Sequence, residues 1–167
     1  MTNEELRQKV KRLEEELTEV RIALLESKAD KKSYEVEVPE DIDDYYYTNK
    51  YGEVDYLEGY SLSYEKNKYI RGLAFKTEEQ AEQHDKERIL LFKLHKWAEE
   101  HNGGWKPNWK DDEESKYYIT YHYGLETFQT AYEWRENTFY KLPYFKSDGL
   151  ARKFIEEFGE EIKEVLC

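Results

Sequence analysis

Phe75-Lys76-Thr77, followed by Ala81, returns 70 residues later as Phe145-Lys146-Ser147, followed by Ala151. Asn67 and Tyr69 match Asn137 and Phe139 at the same offset, and Tyr46-Tyr47-Thr48 aligns with Tyr117-Tyr118-Ile119 one residue out of step. An acidic run precedes each: Asp41-Ile42-Asp43-Asp44 and Asp111-Asp112-Glu113-Glu114. Self-similarity at a fixed period argues that one supersecondary unit is built twice.

Each unit reads as three strands and a helix. In the first, Tyr45 to Thr48 is a strand, Asn49 to Gly52 a turn, and Val54 to Tyr64 a second strand interrupted near Gly59. Glu65 to Lys68 turns the chain into a third strand, Tyr69 to Phe75. Thr77 then caps a helix, with Gln80 completing a capping box. Ala81, Ile89, Leu90, Leu91, Leu94, Trp97 and Ala98 carry its apolar stripe to about His101, and Gly103-Gly104 ends it. In the second unit, Lys116 to Tyr123, Thr127 to Trp134 and Thr138 to Leu142 read as strands. Ser147 caps a helix whose face holds Ala151, Phe154, Ile155, Phe158, Ile162, Val165 and Leu166, with Gly159 as a point for a kink or early stop. Whether the two sheets join edge to edge or pack face to face is left open by the sequence.

Upstream, Leu6, Val10, Leu13, Leu17, Val20 and Leu24 alternate spacings of four and three, an a/d heptad over about three repeats. Thr2 and Glu5 form a capping box, and Lys28, Lys31 and Lys32 suit the negative end of the helix. With Val10 at a, Lys9 faces Glu14 and Glu16 faces Arg21 of a parallel partner, so a homodimer through this helix is expected. The expected fold class is α+β: a coiled-coil oligomerisation helix at 1–32, then tandem βββα units with antiparallel sheets at 33–104 and 105–167.

Composition narrows the function. The net charge is −12, yet residues 1–32 carry eight acids and eight bases, so the whole imbalance lies in 33–167. An acidic surface repels nucleic acid and membranes, and neither is an expected direct partner. It attracts a basic protein groove, including one that normally holds DNA. Aromatics are 16% of the chain, with sixteen tyrosines against one methionine, which argues against disorder and for sheets lined by rings. Cys167 is the lone cysteine, so no internal disulfide forms, in keeping with a reducing cytoplasm. No apolar run approaches the roughly 20 residues of a membrane span.

Catalytic, metal and cofactor sites are not expected. His95 and His101 share a helix but are six apart, where a zinc helix needs i, i+4. His84 and His122 stand alone, and neither acidic run has the glycine or spacing of a calcium loop. Gly103-Gly104 follows a helix, where a phosphate loop precedes one. The candidate partner-binding residues are Trp105 and Trp109, which bracket Pro107 in a stiff aromatic loop, with Asp111, Asp112, Glu113 and Glu114 beside them. A second candidate is the sheet face expected opposite the helices, with Tyr121, Tyr123, Tyr132 and Trp134.

One resemblance adds context. Tyr45-Tyr46-Tyr47 with Gly52 and Val54, Arg71-Gly72 through Phe75-Lys76-Thr77-Glu78-Glu79 and Ala81, Trp105-Lys106-Pro107-Asn108-Trp109, Lys116-Tyr117-Tyr118-Ile119, and Tyr144-Phe145-Lys146-Ser147 through Ala151 form a run of motifs. It resembles small accessory proteins encoded by phages and prophages of Gram-positive bacteria. The resemblance covers roughly residues 44–160 and transfers no catalytic residue. It implies an accessory protein of a mobile element, acting in the cytoplasm of an infected host as a non-enzymatic inhibitor of a defence system. The target would be a host protein, a nuclease or effector with a basic surface. An oligomerising phage assembly or regulatory adaptor, and a small-molecule or nucleotide-binding protein or enzyme with a dispersed site, remain as alternatives.

Overall fold

The computed structural model describes residues 3–29, 34–58 and 60–167, which divide into two compact units, Met1–Glu37 and Val38–Cys167. The first contains one long helix, α1 (Asn3–Ala29). Its seam residues Leu6, Val10, Leu13, Leu17 and Val20 are all exposed, between 42% and 56%. Thr2, Lys31, Lys32 and the side chains of Leu24 and Lys28 lie outside the described residues.

The second unit mixes helix and sheet, roughly α+β. A single 3-10 turn (Ile42–Asp44) leads to β1 (Tyr46–Thr48) and β2 (Val54–Tyr56), then α2 (Leu62–Ile70) and α3 (Glu78–Asn102). The chain continues through β3 (Lys116–His122) and β4 (Thr127–Glu133) to α4 (Asp148–Leu166). β1 pairs antiparallel with β2, and β3 with β4, as two separate two-stranded sheets. Each hairpin gains one further bridge. Tyr46 and Phe75 exchange two backbone hydrogen bonds of 2.8 Å, and Tyr117 and Phe145 exchange two of 3.0 and 2.7 Å. Two residues after each phenylalanine a hydroxyl starts a helix: the Thr77 side chain accepts from Gln80 N, and Ser147 from Leu150 N.

Three expected strands are corrected. The strand expected over Val54 to Tyr64 stops at Tyr56, and the turn and strand expected after it give way to α2. Glu65, Lys68 and Tyr69 turn inward at spacings of three and four, a helical period that tyrosines in the same stretch disguise as strand. Gly72, in the left-handed conformation at φ 68°, closes α2: Leu73 N donates to Lys68 O and Gly72 N to Tyr69 O, which is a Schellman stop. Only Phe75 of the strand expected from Tyr69 pairs. The strand expected at Thr138 to Leu142 does not form. Asn137 Oδ1 accepts from Phe139 N, and Phe139 sits at φ 52°, a turn conformation no ladder accommodates. Gly59 lies outside the described residues.

α3 and α4 follow their expected spans. Gly103, at φ 61°, caps α3. Gly159 neither kinks nor stops α4; the Phe128 ring packs on it so closely that a Cβ there would lie 3.4 Å from the ring. Ile89 of the expected α3 stripe is exposed.

Two clusters fill the unit. Ile42, Tyr45, Tyr47, Leu57 and Ala74 close the first hairpin. Leu90, Leu94, Trp97 and Ala98 of α3 join Ile119, Phe145 and the α4 face in the second. α3 packs on β1 and β2 as well as in the second cluster, and the boundary expected after residue 104 falls inside one compact unit. Among the described residues no helix is long and apolar enough to cross a membrane.

Phe145, fully buried, should cost about 3–5 kcal/mol when changed to Ala, as cavity and lost transfer energy add. Phe75→Ala, at a half-buried ring, should cost about half as much. Urea unfolding followed by circular dichroism measures both.

Candidate functional site

The aromatic loop is built around a buried ion pair. Lys116 opens β3 and is completely inaccessible. An ammonium taken from water must regain its hydrogen bonds. Lys116 Nζ does so with Asp111 O at 2.7 Å and Trp134 O at 2.9 Å, and lies 3.5 Å from the Glu114 carboxylate. Glu114 in turn accepts from Trp105 Nε1 at 2.7 Å and Asn108 N at 2.8 Å. The Asn108 amide, foremost, then Trp105 and Lys116 hold the Glu114 carboxyl below its ordinary range, against the opposing effect of burial.

The expected acidic surface thus divides. Asp111, Asp112 and Glu113 are exposed, but Glu114 faces inward and organises the loop. Asp111 Oδ1 accepts from Glu113 N, and Asp112 pairs with Arg135. The first acidic run is a 3-10 turn anchored by buried Ile42.

Trp105 and Trp109, half-buried, wall a cleft of about 600 Å³ together with the C-terminal half of α3 and the segment 137–144. Asn102, 5% exposed, fixes the far wall: its Nδ2 donates to Tyr144 O, and its Oδ1 accepts from Lys146 N. His95 Nε2 meets Lys141 O at 2.8 Å. Trp109 lies edge-on to Tyr144 at 5.1 Å. Phe139 stands at the cleft 87% exposed and in the left-handed conformation, a combination that costs about 1–3 kcal/mol. The sequence signal for this turn is Asn137; nothing local pointed to Phe139, Tyr140 or Tyr144.

Tyr121 and Tyr123 belong elsewhere. Tyr121 sits toward the other end of β3, about 17 Å along the strand from Lys116, Tyr123 follows the strand's last residue, and neither lines the cleft. Tyr121 shares a face with core residue Ile119 and packs on Phe128 at 4.8 Å, so it lies on the helix side of the sheet and not opposite the helices as expected. Tyr132, across from Tyr117, shares that side. Trp134 Nε1 donates to Ser115.

The histidines have structural partners. His101 stacks on Trp97 at 3.7 Å, His84 lies 4.8 Å from the Phe75 ring, and His122 Nδ1 accepts from Leu125 N. Among the described residues no cluster of three His, Cys, Asp or Glu could hold a metal ion. Burial, foremost, with Tyr140 and Glu133 nearby, pushes the Tyr118 hydroxyl up to about 12. The site offers aromatic faces and fixed dipoles suited to holding a ligand. Comparison of the chain with protein-family models, curated proteins and solved structures found no significant match.

A carboxyl held below its ordinary value stabilises the fold above the unfolded pKa, near 4.5, and that stability disappears as pH falls through the folded value. Thermal melts between pH 7 and pH 3 should therefore show a smaller acid-induced loss for Glu114→Gln than for the wild type. An equal loss would place the acid sensitivity in other carboxylates.

Proposed function

We propose that the protein is a non-enzymatic binding protein that works as a homodimer and blocks a surface of a host bacterial protein. The observation that carries this reading is the aromatic cleft: rings gathered from two separate segments against the end of α3, with strained, exposed Phe139 at its edge. Interface anchors have this character, large rings on a scaffold that holds them in place before binding. The acidic balance of 33–167 favours a basic target and speeds encounter with it. The resemblance to phage accessory proteins supplies the context, an inhibitor of a host defence system in the host cytoplasm.

In this reading α1 is a parallel coiled coil. Its exposed seam and the complementary pairs Lys9 with Glu14 and Glu16 with Arg21 support a second copy as its occupant. We also read the two halves of Val38–Cys167 as tandem copies of one hairpin-bridge-helix plan, supported by the matching bridges at Tyr46 and Phe75 and at Tyr117 and Phe145 and by the matching hydroxyl caps.

Light scattering should give about twice the 20.4 kDa chain mass, and Leu13→Glu with Leu17→Glu should reduce it to one, because buried unpaired charges are costly. A wild-type monomer would remove the coiled coil from the proposal.

Phe139→Asn removes the ring while suiting the left-handed backbone. A host protein captured from lysate by the wild type should be lost with this variant, and its own activity should fall when the wild type is added. Capture indifferent to the substitution would overturn the cleft as the interface.

A further inference from the structure

Each half of Val38–Cys167 gathers three tyrosines at the same point of its hairpin. In the first, Tyr47 follows the bridged Tyr46 and is met edge-on by Tyr60 and Tyr64, at 6.1 and 6.2 Å. In the second, Tyr118 follows the bridged Tyr117 and is met by Tyr140 and Tyr144, at 4.8 and 5.8 Å. Both outer pairs are spaced four residues apart, and both come from the chain between the hairpin and the bridging phenylalanine.

The first triad holds a cation. Lys68 Nζ lies 4.4 Å from the Tyr47 ring centre and 5.5 Å from that of Tyr64. Aromatic faces carry the negative lobe of the ring quadrupole, so they replace part of the water an ammonium gives up. In the second triad the Thr138 hydroxyl meets that of Tyr144 at 2.8 Å. Among the described residues no ammonium lies over Tyr118, Tyr140 or Tyr144. The neighbouring lysines have their own partners: Lys141 pairs with Glu87, Lys146 with Asn102 O, and Lys116 stays inside the loop, its Nζ 5.7 Å from the Trp109 ring centre.

The second triad also opens onto the cleft. Tyr140 and Tyr144 line it, with Trp109 beside Tyr144. Behind them the Glu133 carboxylate accepts from Tyr118 Oη at 3.2 Å, placing negative charge at the back of the rings. Glu99 and Lys106 on the cleft wall carry opposite charges, which leaves the rings as the principal attraction for a cation.

We propose that the cleft wall of Tyr140 and Tyr144 binds an alkylammonium group, the lysine side chain of a basic partner, as the rings of Tyr47 and Tyr64 bind Lys68 in the first half. The inference rests on the cleft being the docking site and names the chemistry of what enters it.

The test uses the full-length protein, with tetramethylammonium and Nα-acetyl-lysine amide as probes and 3,3-dimethylbutanol as a neutral comparison. Nuclear magnetic resonance follows the Trp109 indole N–H and the Tyr140 ring. Both cations should produce saturable shifts, and the neutral alcohol should bind at least about fivefold more weakly. Thr138→Lys, which places an ammonium beside Tyr144, should abolish the shifts. Lys68→Thr should add a second equivalent of bound cation at the hollow of about 320 Å³ beside Tyr47, Tyr60 and Tyr64. Should Thr138→Lys fail to fold, Tyr140→Leu should abolish the shifts instead. Equal binding of the neutral alcohol, or cation binding untouched by the substitution at 138 or 140, overturns the inference. If the cations fail to bind while Phe139→Asn still loses the captured host protein, the ammonium site falls and the docking cleft stands. If Phe139→Asn also leaves capture unchanged, both fall.

Discussion

Phe145 is the point on which the second half turns. Two backbone hydrogen bonds lock it to Tyr117, so the chain reaches the hairpin edge at one register. Its ring, fully buried, packs on Phe154 at 4.8 Å and edge-on to Trp97 at 6.4 Å, which ties β3, α3 and α4 into one core. The residues on either side are clamped by Asn102, which binds Tyr144 O and Lys146 N, and two residues on Ser147 starts α4. A single residue thus sets strand register, core packing and helix start together. Phe75 repeats the bridge and the helix start at the first hairpin, but its half-buried ring faces His84 and lies outside both buried clusters.

Buried charge does for the aromatic loop what buried apolar surface does for the core. Lys116 could not be withdrawn from water unless acceptors converged on its ammonium: Asp111 O and Glu114 come from the loop just before it, and Trp134 O from the chain just after β4. Glu114, bound to that ammonium, holds the Trp105 indole and the Asn108 amide. Part of what reads as an acidic patch is therefore internal scaffolding, and the charge left for encounter is that of Asp111, Asp112 and Glu113.

The tyrosines divide in the same way. Tyr47 and Tyr118 are buried beside the bridges, whereas Tyr60 and Tyr140 stay partly in solvent. Tyrosine suits this because its ring covers apolar surface while its hydroxyl remains hydrated or bonded to another. Tyr47 bonds the Tyr60 hydroxyl, Tyr46 that of Tyr56, and Tyr118 the Glu133 carboxylate. The core keeps its polar atoms satisfied, and the same rings leave faces turned outward.

What could be read from the sequence was what local chemistry decides. Thr77, Ser147 and Gly103 mark helix ends because capping is completed within a few residues, and the α4 stripe lies where its 3.6 period places it. The heptad of α1 and the matching Phe-Lys-Thr and Phe-Lys-Ser stretches are visible for the same reason. What only the tertiary structure decided was everything that needs a partner far along the chain. α2 was hidden because its tyrosines mimic a strand, and the third strands shrank to single bridges once Gly72 and Asn137 turned the backbone. The inward side of Tyr121 depends on β4 and α4, and the cleft on three segments brought together by Asn102 and Lys116. A residue's own neighbours set its conformation, but which of its faces is buried depends on surface supplied from elsewhere in the chain.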